Sequence, residues 1–265
     1  MGRLQGKSAV VLGAAGSGNM GQSIARRFAA EGARVLVAGR NEAALSAFAD
    51  KIGGRYVLCD ITEEADLARL GDEAASAFGS VDIALNATGW GLLKPFLETT
   101  REELAQMTAV QFIGPFQFYQ AMLRVMGDGG SLIQISSATA TIMLEDHAAY
   151  MGAKAGADHV LRCVANEFGA RGIRANSISP GFTETPMTAK AARNSAIIDA
   201  FAKEYPLGRV GTSEDVAEAA VWLASDGCFV TGQNIQVNGG LTLRRNPRNA
   251  EIVKAVTDAR AARSA

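Results

Sequence analysis

Apolar residues in this chain come in short unbroken runs, separated by longer stretches with helical periodicity. Seven runs read as buried strands: Ser8–Leu12, Arg34–Ala38, Arg55–Cys59, Asp82–Asn86, Ser131–Ser136, Ile173–Ile178 and Asn234–Val237. Amphipathic patterns near 22–31, 42–51, 63–78, 101–126, 150–170 and 213–225 read as helices. Strands that are apolar throughout, each followed by a helix, predict a parallel sheet covered on both faces. The expected fold is therefore an α/β doubly wound sheet of about seven strands.

The alternation runs without a break from residue 7 to about 240, so residues 1–243 read as one unit. Pro180-Gly181 breaks the sixth strand, and the Thr-, Ala- and Asn-rich segment 182–205 suits a covering over a substrate. Residues 244–265 form a tail rich in arginine and lysine, which reads as a short helix docked on a neighbouring subunit or as a mobile end, the second being favoured.

Composition narrows the function classes. A net charge of −1 over 265 residues gives no footprint for nucleic acid. No apolar run approaches a membrane span. Cys59, Cys163 and Cys228 lack metal-site spacing, so no metal is expected, and so sparse a set fits a reducing compartment. With no apolar leader before the first strand, the chain reads as cytoplasmic.

Between the first strand and the first helix stands Gly13-Ala-Ala-Gly16-Ser17-Gly18-Asn19-Met20-Gly21, which contains a literal G-x-G-x-x-G. Glycines there permit a tight turn and close approach of backbone to a pyrophosphate. The helix N-terminus offers free N–H groups. The sheet is thus expected to be a Rossmann-type dinucleotide binder. After the second strand an acidic residue would select NAD, whereas an arginine accommodates the 2′-phosphate of NADP. The chain has Gly39-Arg40-Asn41, so NADP(H) is favoured over NAD(H).

Tyr150 and Lys154 are four residues apart, one turn on one helix face. A nearby ammonium is expected to lower the phenol pKa and make a usable acid/base. Ser137 lies thirteen residues before Tyr150, at the carboxyl end of its strand, where open α/β sheets bind ligands. The three suit proton transfer to a carbonyl oxygen while a hydride arrives at its carbon. Trp90, Leu92, Leu93, Ile142, Met143, Leu144, Phe182 and Met187 flank these positions and suggest an apolar pocket. His147, three residues before Tyr150, could reach a substrate, but the favoured reading is an exposed helix-start histidine; His159 reads as structural.

Together these residues resemble the classical short-chain dehydrogenase/reductase (SDR) family over residues 5 to about 243. Asp60, with Ile61 after it, resembles the family's adenine contact. Asn86-Ala87-Thr88-Gly89 resembles the segment that supports the central sheet and borders the cofactor. Pro180-Gly181-Phe182-Thr183-Glu184-Thr185 resembles the segment that contacts nicotinamide. Thr231–Gly240 resembles the closing strand. The resemblance implies that Tyr150 exchanges the substrate proton, that Lys154 holds the nicotinamide ribose, and that Ser137 binds the substrate oxygen. It also implies a homotetramer, or failing that a dimer.

Two positions depart from the family pattern. Leu12 replaces a threonine, and the first loop is two residues longer than usual. Gln111 stands where a catalytic asparagine is common, so a proton relay through it and a purely helical role both remain open. The leading expectation is an NADP(H)-dependent carbonyl reductase or alcohol dehydrogenase acting on an apolar ketone or a 3-oxoacyl thioester. Enoyl thioester reduction is the alternative within the superfamily, disfavoured because those enzymes set Tyr and Lys seven apart. A non-catalytic dinucleotide-binding regulator is the third reading.

Overall fold

The first strand, β1 (Ser8–Leu12), is buried along its whole length. Its side chains alternate between two cores: Ala9 and Val11 face one, Val10 and Leu12 the other. That demand for apolar contact on both faces explains the unbroken run. The computed structural model describes residues 2–264. In it β1 lies parallel between β2 (Arg34–Gly39) and β4 (Val81–Asn86). With β3 (Arg55–Leu58), β5 (Met126–Ile135), β6 (Arg174–Pro180) and β7 (Asn234–Val237) they form a seven-stranded parallel sheet, order β3-β2-β1-β4-β5-β6-β7.

Helices α1 (Met20–Ala30) and α2 (Glu42–Ile52) cover one face, and α3 (Glu64–Phe78) the other. Strand order reverses between β1 and β4, which opens a crevice at the carboxyl ends of those strands. The stretch expected as one helix over 101–126 is divided. It runs as α4 (Arg101–Thr108), a π-helical turn at Ala109–Ile113, and α5 (Gly114–Val125). Pro115 has no N–H to continue α-helical bonding, and the Gly114 N–H reaches back five residues to the Ala109 carbonyl.

The long helix α6 (Ala148–Phe168) carries Tyr150 and Lys154. After β6 come two short helices, α7 (Ala189–Ala192) and α8 (Ser195–Ala202), and then α9 (Ser213–Ala224), which packs beside α1. The tail forms α10 (Asn249–Ser264), docked on α8 of its own chain. Ile252 of α10 joins Phe182, Phe201, Tyr205 and Leu241 in a small third core above the crevice. Among the described residues no helix is long and apolar enough to cross a membrane.

Candidate active site

The glycine loop is shaped by two close approaches. Gly13 has φ +101°, and a Cβ there would lie 2.6 Å from the Ala87 carbonyl carbon. At Gly21 a Cβ would lie 2.5 Å from the Gly13 oxygen. Only glycine lets β1, β4 and α1 converge this tightly. Asn19 caps α1, accepting from the Gln22 N–H at 2.9 Å and donating to the Gly13 oxygen at 2.8 Å. The Gln22 side chain closes the loop from within: it accepts from the Gly18 N–H and donates to the Ala14 carbonyl, both at 3.0 Å. Two amide side chains thus hold the unusually long loop in shape.

One cavity of about 890 Å³ runs from this loop to α10. Gly13, Gly16, Asn19 and Met20 line its first end. Ser17 and Gly18 lie exposed at the outer turn, and Gly21 is buried in α1. Arg40, Asp60 and Ile61 line the wall beside β2 and β3. Arg40 is largely exposed, its Nη1 3.4 Å from Asp60 Oδ2, so its guanidinium is free to take a second anionic partner. Ala87 and Gly89 line the middle, and Pro180, Gly181, Thr183 and Thr185 the wall after β6.

Ser137, Tyr150 and Lys154 meet in this cavity. The Ser137 hydroxyl lies 2.8 Å from that of Thr139. Lys154 is 2% exposed, and its Nζ donates to the Ile135 carbonyl at 2.8 Å. The same carbonyl accepts from the Gln134 side chain at 2.9 Å. Gln134 Oε1 in turn accepts from Asn86 at 3.0 Å and from the Tyr119 hydroxyl at 2.8 Å. Asn86 therefore does not face the cavity. It braces the end of β5, and through it the carbonyl that holds Lys154.

The electrostatics correct one expectation. Burial pushes the Tyr150 phenol up to about 12, against a smaller downward pull from the Ser137 hydroxyl. Burial brings Lys154 down to about 8, opposed by the Asp158 carboxylate. The Lys154 ammonium donates to Ile135 and lies 5.6 Å from the phenol ring centroid. Desolvation outweighs the attraction.

Asp158, Asn246, Asn249 and Ile252 were not singled out from the sequence, and His147 and Gln111 stand differently from their expected places. Asp158 stands one turn beyond Lys154, so Tyr150, Lys154 and Asp158 form an i, i+4, i+8 row that the helical spacing already carried. Its Oδ2 accepts from Ser136 at 2.7 Å and Asn234 at 2.5 Å, while Oδ1 is buried without a hydrogen-bond partner. His147 is not an exposed helix start. It is partly buried, lines the cavity and stacks on Tyr150 with centroids 4.4 Å apart. Asn246, Asn249 and Ile252 bring the tail into the wall, which no local pattern announced. Gln111 is fully buried in the π-helical turn and does not line the cavity. Its Nε2 donates to the Trp90 carbonyl at 2.9 Å and its Oε1 has no partner, so what it touches is the loop carrying Trp90.

A doubly wound sheet with a glycine loop at the switch point, and Ser, Tyr and Lys at the end of β5, defines an oxidoreductase that works with a nicotinamide dinucleotide. The chain belongs to the short-chain dehydrogenase/reductase family. A family model described as enoyl-(acyl carrier protein) reductase matches residues 13–242. A D-threitol dehydrogenase of Mycolicibacterium smegmatis is 34% identical over 250 residues, covering 91% of this chain and 95% of the relative. A mitochondrial borneol dehydrogenase of Lavandula x intermedia is 36% identical over 247 residues, covering 91% and 92%. A solved short-chain type dehydrogenase/reductase from Mycobacterium ulcerans superposes with a TM-score of 0.89 at 32% identity, covering 94% of each chain.

Proposed function

We propose that this enzyme transfers a hydride between NADP(H) and a secondary alcohol or its ketone, with Tyr150 as the proton donor and acceptor. The observation that carries this reading is the convergence of Ser137, Tyr150 and Lys154 in the cavity that begins at the glycine loop. The loop fits a dinucleotide: Gly13 and Gly21 let it pack closely on Ala87 and on itself, and Gly13, Gly16, Asn19 and Met20 line the cavity at the α1 N-terminus. Gly16, Asn19 and Met20 would hold the pyrophosphate, and Asp60 and Ile61 the adenine. Arg40 would hold a 2′-phosphate by a charge-assisted contact. When bound, the nicotinamide supplies or accepts the hydride.

The chain's own residues do the rest. Ser137 donates to the substrate oxygen and stabilises the charge that develops there. Tyr150 exchanges the proton at that oxygen. Lys154, held by Ile135, presents its positive charge beneath the phenol, and the Asp158 carboxylate keeps that charge in place. Segment 182–205, with Phe182 and Met187, covers the substrate. The body of the pocket is apolar, which suits a compact ketone or alcohol with a hydrocarbon skeleton. Relatives named for dehydrogenation of a polyol and of borneol agree with an alcohol substrate. The four-residue Tyr150–Lys154 spacing argues against enoyl reduction.

The test is NADPH and NADH absorbance with a panel of secondary alcohols, ketones and 3-oxoacyl thioesters. Turnover of none of them, with dinucleotide binding intact, would leave the regulator reading in place. We further propose a cytoplasmic homotetramer. An apolar groove between α5 and α6, lined by Phe116, Leu123 and Val160, offers a face for a second copy. Light scattering at micromolar concentration tests this, and a monomer with full activity would exclude it.

A further inference from the structure

We propose that His147 recognises a second hydroxyl on the substrate, accepting its hydrogen bond at imidazole Nε2 and so favouring diols over simple alcohols. This rests on the alcohol dehydrogenase reading above and names the substrate class for the same cavity.

The tautomer follows from the partner. His147 Nδ1 lies 2.7 Å from the Leu92 carbonyl oxygen. A carbonyl only accepts, so Nδ1 carries the hydrogen, and in the neutral ring Nε2 is left with its lone pair. Burial lowers the His147 pKa, which keeps the ring neutral and Nε2 an acceptor at neutral pH. Nε2 has no hydrogen-bond partner among the described residues, yet it is not sealed off as a buried orphan. The residue lines the cavity beside Tyr150, where a ligand would meet the free acceptor.

The ring is also fixed in place. It stacks on Tyr150 with the planes 29° apart. The residue before it, Asp146, holds a left-handed φ of 59°. Asp146 is pinned twice: its carbonyl accepts from the Lys94 N–H at 2.6 Å, and its carboxylate accepts from the Asn249 side chain at 2.8 Å. Glu145 accepts from the Asn249 backbone N–H at 2.7 Å. The wall that carries His147 is thus tied to the 92–94 loop on one side and to α10 on the other. An acceptor held this way loses little freedom when it binds.

Its surroundings give it discriminating power. Leu93, Leu144, Phe182, Met187, Ile197 and Phe201 make the neighbouring wall apolar. An acceptor beside such apolar side chains is left unpaired by a substrate that lacks the matching hydroxyl, and sites of that kind reject the analogue strongly. Because the two rings are stacked, the Tyr150 hydroxyl and His147 Nε2 address neighbouring parts of one small molecule. The alcohol that reacts is held by Tyr150 and Ser137, and the second hydroxyl, close along the carbon skeleton, donates to His147.

The experiment compares kcat/KM for cyclohexane-1,2-diol and cyclohexanol with the full-length enzyme and NADP⁺ or NAD⁺. In His147→Phe the diol-to-alcohol ratio should fall at least about tenfold. In His147→Gln, whose amide oxygen reaches the Nε2 position, the ratio should recover in part. Circular dichroism and dinucleotide binding check the fold of each variant, and His147→Ala serves if phenylalanine does not fit. An active wild type whose ratio does not move in these variants overturns the role of His147 alone. A wild type active elsewhere in the panel of secondary alcohols, ketones and 3-oxoacyl thioesters but on neither ring alcohol overturns the diol preference alone, and one inactive on the whole panel overturns the dehydrogenase reading and this role with it.

Discussion

Lys154 donates to the main-chain carbonyl of Ile135 at 2.8 Å, not to the phenol of Tyr150 one turn away. That carbonyl is the last of β5, and it also accepts from Gln134. The position of the ammonium is therefore set by the sheet, through the Asn86–Gln134–Ile135 chain, while Tyr150 is placed by the helix. The ammonium is buried, and its charge is offset only at a distance by Asp158.

Tyr150→Phe should keep dinucleotide affinity and lose turnover by a hundredfold or more, on the order of the contribution of a positioned acid/base. Steady-state rates and a fluorescence titration check both halves. Activity near the wild-type level would remove Tyr150 from the reaction.

Arg40→Ala should erase the preference for NADPH. In the wild type that preference is expected to be at least about tenfold, or ~1.4 kcal/mol. The motive is a largely exposed guanidinium that spares part of its hydrogen-bonding fork beside Asp60. Equal affinity of the wild type for the two cofactors would refute it.

Lys154→Met should stabilise the fold while abolishing activity, a familiar trade at active sites. The folded pKa, about 8, lies below the ordinary 10.5. Below about 8 both states hold the proton and the burial penalty is present in full. Between about 8 and 10.5 only the unfolded chain holds it, so stability improves as pH rises through that window. The variant should thus exceed the wild type at pH 7 by on the order of 1–3 kcal/mol, with the gap narrowing toward pH 10. Denaturant melts at the two pH values decide it, and a gap that widens toward alkaline pH would contradict the argument.

Asp158→Asn keeps an acceptor for Ser136 and Asn234 but removes the charge that holds up the pKa of Lys154. The alkaline limb of the rate profile should move to lower pH, with activity at pH 8 down about tenfold. An unshifted profile with a uniform loss of rate would mean that Asp158 serves packing alone.

Ile252→Asp drives a charge into the small core that α10 shares with Phe201 and Phe182. KM should rise about tenfold, as expected when a covering segment loses its support. Segment 182–205 should also become sensitive to protease. Unchanged KM and resistance to cleavage would show that α10 is not needed to hold the cover.

The sequence by itself determined the sheet, the crevice and the placing of Tyr150 beside Lys154. Strands buried on both faces must be apolar throughout, as β1 is, and a helix turn must bring Tyr150 beside Lys154, so local spacing carries both. Gly13 and Gly21 were legible for the same reason: a tight turn into a helix leaves its mark within nine residues. What the tertiary structure alone decided depends on contacts between distant parts of the chain. The direction of the Tyr150 shift depends on how deep the phenol lies. The free acceptor of His147 depends on Leu92, fifty-five residues away. The place of the tail depends on Asn249 reaching Glu145 and Asp146, more than a hundred residues upstream. Burial and long-range hydrogen bonding have no period along the chain, so no local pattern could announce them.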